Sequence, residues 1–225
     1  MTKLVSVAQT VAAYTVTIEA GRLALKKGLK LSKGSSKMEG IRSLNSSPLT
    51  NKFCQKMSKG NSVCAACYSM KSLRTYRQNC HKPWNANGDI LTSEEFPVES
   101  FPYLNENIFR IHSHGELINR RHCRNIFRLA LRNPDTIFGF WTKRRDIVNG
   151  CGIEVPANVI LIYSNPTVDR VVKKVPKGFH KVFNVITEEH AERNGIEINC
   201  GARNCLECQR CYRFDTTSVI VEKKK

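Results

Sequence analysis

Ile137-Phe138-Gly139-Phe140-Trp141-Thr142 carries no charge and is apolar at nearly every position. A short run of this kind, bounded by turn residues, reads as a strand with both faces covered. Three more runs surround it: Asn107-Ile108-Phe109-Arg110-Ile111-His112, Val159-Ile160-Leu161-Ile162-Tyr163, and Lys181-Val182-Phe183-Asn184-Val185-Ile186. Their starts are spaced by roughly 20–30 residues, the period of βα units. Between the first two, residues 118–132 read as an amphipathic helix. Cys123, Ile126, Phe127, Ala130 and Leu131 recur at helical spacing, and Asn133-Pro134 stops it. The expected fold is therefore α/β, with parallel strands forming a sheet covered on both faces or a full or partial (β/α) barrel, the partial barrel being the expectation adopted.

Each strand ends in chemically loaded residues. His112, Ser113, His114, Gly115 and Glu116 follow the first; Thr142, Lys143, Arg144, Arg145 and Asp146 the second. Ser164 and Asn165 follow the third, and Thr187, Glu188 and Glu189 the fourth. In parallel α/β folds the C-terminal strand ends form the working face, so these residues belong to one candidate site. His112 and His114, two apart in extended chain, are expected to point to one side. His112 is included among the candidate cofactor-binding residues.

Outside this half the pattern is weaker. Residues 5–27 read as a helix ended by Gly28 and Gly34-Ser35-Ser36. Residues 40–59 and 79–102 read as irregular, the latter broken by Pro83, Pro97 and Pro102. The expected organisation is a basic N-terminal segment (1–53), a metal-binding βα domain (54–190) and a cysteine-rich C-terminal segment with a basic tail (191–225).

The chain has 225 residues and ten cysteines, and seven of these form two sets. Nine residues separate Cys54 from Cys64-Ala65-Ala66-Cys67. Cys200 precedes Cys205-Leu206-Glu207-Cys208-Gln209-Arg210-Cys211. Two-residue spacing lets successive thiolates converge on one centre. A chain this long buries roughly 70% of its unfolded surface and needs no disulfide staples, so the thiols read as ligands in a reducing compartment. The expected metal ligands are Cys54, Cys64, Cys67, Cys200, Cys205, Cys208 and Cys211. They would hold one or two [4Fe-4S] clusters, with zinc as the alternative. Three thiolates on a four-iron cluster leave one iron open, and the second set would complete the first centre or hold another. Cys123, on the apolar helix face, reads as core.

Lys and Arg number 36 against 19 acidic residues, a formal charge of +17. Such basicity suits a phosphate-bearing partner, a nucleic acid or a nucleotide. No apolar stretch reaches the ~18 residues of a membrane span, and Met1-Thr2-Lys3-Leu4 lacks the layout of a signal peptide. The expectation is a cytoplasmic protein with no membrane segment. The oligomeric state is left open.

The order of these motifs resembles the bacteriophage gene product 88 family. The resemblance rests on Cys54, Cys64 and Cys67-Tyr68, then Phe109 to Glu116, Phe140 to Arg144, Asn158 to Ser164, and the terminal cysteines. It runs from about Leu31 to Tyr212. Gly115-Glu116-Leu117 departs from the Gly-Asp-Phe expected there. The resemblance implies a phage protein, acting in the host cytoplasm, that carries iron–sulfur. A second resemblance is to radical S-adenosylmethionine (SAM) enzymes, which have a partial βα barrel, three cysteines after the first strand and Gly-Gly-Glu after the second. It implies Gly115 and Glu116 at the SAM amino group. Lys143, Arg144 and Ser164 would stand at the substrate or the SAM carboxylate, and chemistry would proceed through a radical. The nine-residue first gap departs from the Cys-x3-Cys-x2-Cys of those enzymes. The rival expectations are a non-enzymatic iron–sulfur protein for electron transfer or sensing, and a zinc-stabilised nucleic-acid binder.

Overall fold

The computed structural model describes Leu25 and residues 28–224. The helix expected over 5–27 lies outside them except at Leu25, which is helical and fully buried. One seven-stranded sheet organises the chain: β1 (Leu31–Ser32), β2 (Arg42–Leu44), β3 (Ile108–Ile111), β4 (Ile137–Thr142), β5 (Val159–Val168), β6 (Lys181–Ile186) and β7 (Val219–Lys223). Spatial order follows chain order. Only β1 pairs antiparallel, with β2; every other pair is parallel. The sheet is open, with β1 and β7 at its edges, and no ladder among the described residues joins them. The barrel expectation is thus met only as far as sequential parallel strands.

The helices are α1 (Lys52–Ser58), α2 (Tyr68–Arg74), α3 (His81–Ser93), α4 (Arg120–Arg132), α5 (Arg145–Asn149), α6 (Glu188–Asn194) and α7 (Cys205–Cys208). The four expected strands and the helix at 120–132 appear where the sequence places them. Two stretches expected to be irregular are not. Residues 40–59 contain β2 and α1, and residues 79–102 contain the thirteen-residue α3. Pro83 does not break α3 because it sits in the first turn, where its missing N–H costs no helical bond. Strands β1 and β2 come from segment 1–53, β3 to β6 from 54–190 and β7 from 191–225, so all three expected segments share one sheet.

Both faces of the sheet are covered, which is why its strands read as unbroken apolar runs. Phe109, Ile111, Phe138, Phe140, Val159 and Leu161 alternate onto one face and pack with Ile126, Phe127, Leu129 and Ala130 of α4. Each such aliphatic or aromatic side chain contributes about 1.5–3 kcal/mol on full burial. Cys123 is in this core, as expected. Ile108, Trp141, Ile160 and Ile162 alternate onto the other face. Tyr212, from the C-terminal segment, covers them. Gly139 makes room for it: a Cβ at 139 would stand 2.5 Å from the Tyr212 ring.

Candidate functional site: two thiol groups

The seven cysteines fall into two separate groups. The upper group lies beyond the C-terminal ends of β3, β4 and β5. Asn51 starts its construction. The Asn51 carboxamide oxygen accepts from the amides of Phe53 and Cys54, at 2.9 and 3.4 Å, and so caps α1. Its Nδ2 donates to the carbonyl of Glu116 at 2.9 Å. One side chain therefore sets the helix carrying Cys54 and ties it to the loop after β3. Ser62 does the same for Cys64. Its hydroxyl accepts from the Cys64 amide at 3.1 Å and donates to the Met57 carbonyl at 3.1 Å. The Val63 amide donates to the Pro166 carbonyl at 2.8 Å, anchoring this loop on β5. Cys67 precedes α2, and the next residue, Tyr68, donates its hydroxyl to the Ser113 carbonyl.

Glu116 is the centre of the upper group's scaffold. It is 4% exposed. Its Oε1 accepts from the Thr142 hydroxyl at 2.5 Å and from the Leu117 amide at 2.8 Å; its Oε2 accepts from the Lys143 amide at 2.8 Å. These bonds pin the end of β3 to the end of β4. Gly115 allows this approach, with φ +86° and its Cα so close that a Cβ would stand 2.2 Å from the Ser46 carbonyl oxygen. The Lys143 ammonium donates to the Ser164 hydroxyl at 2.9 Å. Arg144 pairs with Asp146 at 2.7 Å and stacks over Phe53 at 4.9 Å.

The electrostatics mark the upper thiols as one group. Burial, then Glu116, Cys64 and Cys67, push the Cys54 thiol well above its usual range, while Lys143 pulls it down. Burial also raises the Cys64 thiol; Lys143 opposes this, and Cys67 and Glu116 add to it. Three thiols and a carboxylate share one space, and two cations offset them: Lys143 faces Cys54 and Cys64, and Arg144 faces Glu116 and Cys54.

The lower group lies against the sheet face formed by Ile108, Trp141 and Ile160, opposite the one covered by α4. Asn204 caps α7 by accepting from the Leu206 amide at 2.7 Å. The Cys200 amide donates to the Val221 carbonyl of β7 at 3.0 Å. Cys205 and Cys211 pack against Ile41, Ile108, Trp141, Ile160 and Tyr212. Burial raises the Cys211 thiol to about 12, with Cys200, Cys205 and Cys208 adding and Arg110 opposing. Two cations serve this group. The Lys37 ammonium reaches the Cys200 sulfur at 3.9 Å and Glu222 at 3.5 Å. The Arg110 guanidinium lies 3.9 Å over the Trp141 ring. Sequence reasoning passed over both, although a lone arginine inside the apolar run Ile108–Ile111 is itself a signal.

Several candidate residues sit elsewhere. His112 is the first correction. Its φ of +60° ends the strand and swings the ring into the helix-side core, 5.4 Å from His122 and 5.5 Å from Phe140. Burial holds its imidazole far below the usual range. His114 stacks on Trp84 at 4.4 Å and bonds Ser69 at 2.9 Å. The two histidines thus do not share a side, because the chain leaves extended geometry between them.

Among the described residues, no three His, Cys, Asp or Glu side chains stand, as they are, in position to hold a metal ion. The donor chemistry nevertheless fits a thiophilic, negatively charged group. Each site offers soft thiols with a cation beside them, and the lower one offers four.

A sequence model of the gene product 88 family matches residues 9–225. The chain belongs to this family. The family match spans both thiol groups and every strand of the sheet. No curated protein and no solved structure gives a match. Among the described residues, no helix is long and apolar enough to cross a membrane.

Proposed function

We propose that this chain is a phage iron–sulfur protein with two centres on a partial parallel barrel. Cys54, Cys64 and Cys67 would hold a four-iron cluster with one open iron at the C-terminal strand ends. Cys200, Cys205, Cys208 and Cys211 would hold a second, fully ligated one. The observation that carries this reading is the separation itself. Three thiols share their environment with Glu116 and Lys143, and four others share theirs with Lys37 and Arg110. Sequential strand order supports the barrel-like curl, as does the 3.5 Å approach of Lys37, from the β1–β2 connection, to Glu222 on β7.

When bound, a cluster with an open iron would supply one-electron reduction of a small molecule such as SAM. The chain's own residues divide the remaining work. Lys143, oriented by Ser164, presents an ammonium suited to a carboxylate. Glu116 uses its oxygens on Thr142, Lys143 and Leu117, so its role is to position these residues. A SAM amino group would have to share the one free lone-pair direction of Oε2.

Anaerobic purification with quantification of iron, acid-labile sulfide and zinc tests the reading. Iron with equal sulfide is expected, and Cys54→Ala and Cys208→Ala should each remove about half. Zinc without sulfide would overturn it in favour of a zinc-stabilised protein. Cleavage of added SAM by the reduced protein is the expected sign of the open iron. Iron retained without cleavage leaves a passive redox role.

A further inference from the structure

Residues 40–88 contain eight Lys/Arg and no Asp or Glu. This stretch contains β2, α1, α2 and the start of α3, and so the upper thiols. Its cations face outward. Lys52, Lys56 and Lys59 follow helical spacing on and just past α1, and all three are exposed; so are Lys71, Arg74 and Lys82. None of these six enters an ion pair among the described residues. Within the stretch the one ion pair among the described residues is Arg42 with Glu106, at its start. Elsewhere Arg124 and Arg128 share Glu95, Lys181 meets Asp215 and Lys223 meets Glu188.

Two aromatic rings stand among these cations. Tyr68 directly follows Cys67 and is 60% exposed; Tyr76 is 76% exposed. On α2, Tyr68, Lys71 and Arg74 recur every third residue, so they share the exposed face, while Ser69, Met70, Ser72 and Leu73 are buried. The Tyr68 hydroxyl is held by the Ser113 carbonyl, and its ring lies 5.3 Å from that of His114, which fixes it at the loop after β3. The Arg77 guanidinium lies 5.9 Å over the Tyr76 ring. Large rings this open to solvent, grouped on one rim, are unusual unless something covers them.

We infer that this acid-free rim binds single-stranded nucleic acid and delivers it to the upper thiol group. Unpaired cations track a phosphate backbone, and exposed tyrosine faces give bases a stacking platform. A duplex would leave the rings without a base face to meet. The inference rests on the proposed function for the chemistry at the thiols, and on this surface alone for what approaches them.

The test uses the full chain and a fluorescent single-stranded oligonucleotide of ~15 nucleotides, with iron and sulfide assayed on the same samples. The fourfold variant Lys52→Gln, Lys56→Gln, Lys71→Gln, Arg74→Gln should weaken binding at least tenfold. It should also flatten the plot of log affinity against log salt by about 0.7 for each phosphate no longer neutralised. Tyr76→Ala should weaken single-strand binding about tenfold and leave heparin binding unchanged. A control with equal charge change, Lys173→Gln, Lys174→Gln, Lys177→Gln, Arg193→Gln, should do far less. Equal weakening in the control, equal affinity for duplex, or mole-for-mole displacement by a nucleoside triphosphate would each overturn the inference. Iron retained while binding fails sinks this inference alone. Binding retained in a protein that carries zinc and no sulfide sinks the iron–sulfur reading alone.

Discussion

The upper and lower thiol groups are built from the same residue type and could hardly be set more differently. The upper thiols sit on short helix ends and a loop, two of them fastened by one polar side chain each: Asn51 for Cys54 and Ser62 for Cys64. The lower thiols sit in one continuous segment packed against a sheet face, with Cys205 and Cys211 touching the core. Loops over strand ends accommodate a substrate; a segment pressed onto apolar strands holds the fold together. The difference teaches that thiol count and spacing do not reveal a centre's task. What lies under the thiols does.

The largest expected effect separates the two groups directly. Cys211→Ala should lower Tm by about 10 °C or more, since Cys211 packs against the sheet core and, on the proposed reading, a centre lost there takes core packing with it. Cys54→Ala should lower it by no more than about 3 °C. Thermal unfolding under anaerobic conditions measures both, and equal shifts would erase the distinction. Next come the glycines that admit each group. Gly115→Ala combines a positive φ with a backbone clash and should cost about 3 kcal/mol or more in urea unfolding. Gly139→Ala meets only the Tyr212 and Trp141 rings, so pairing it with Tyr212→Leu should recover part of the stability, whereas no side-chain change rescues Gly115→Ala.

Glu116→Gln comes third. The substitution keeps shape but turns an amide N–H toward donors that now face a carboxylate, at a cost of about 2–3 kcal/mol. Its effect should fall on the upper group: SAM cleavage or oligonucleotide binding should change while iron at the lower thiols stays. Fourth is a pH effect in the helix-side core beneath both. Burial lowers the His122 imidazole to about 3, so between an unfolded value near 6.5 and about 3 the unfolded chain binds the extra proton. Stability should therefore fall with acidification in that window, by about 1.4 kcal/mol per pH unit from this residue, and His122→Gln should flatten the slope. The smallest effect is Glu95→Gln, about 0.5 kcal/mol. It breaks partly exposed pairs with Arg124 and Arg128, far from either thiol set, and should alter neither metal content nor binding.

Strands β3 to β6 and helix α4 were legible because strong, unbroken apolar periodicity needs no context. The strands β1, β2 and β7 were not. Arg42-Ser43-Leu44 is three residues with one apolar member, and only its neighbour Phe109-Arg110-Ile111 makes it a strand. Helix α3 was hidden behind Pro83, whose effect depends on where the first turn begins. At the site, Lys143 and Ser164 were both named from their strand ends, and they do meet. Arg110, Lys37, Asn51 and Ser62 were missed because their roles depend on particular partners, from 2 positions away for Ser62 to 185 for Lys37.

Composition and spacing by themselves determined the two sets of cysteines, the succession of parallel strands and the excess of basic residues, because these are properties of residue type and local period. Tertiary structure alone decided that the thiols form two groups rather than one, and which cations serve each. It also turned His112 away from the site, through one residue at φ +60°. A backbone rotation at a strand end reverses where a side chain points, and no pattern of residue types records it.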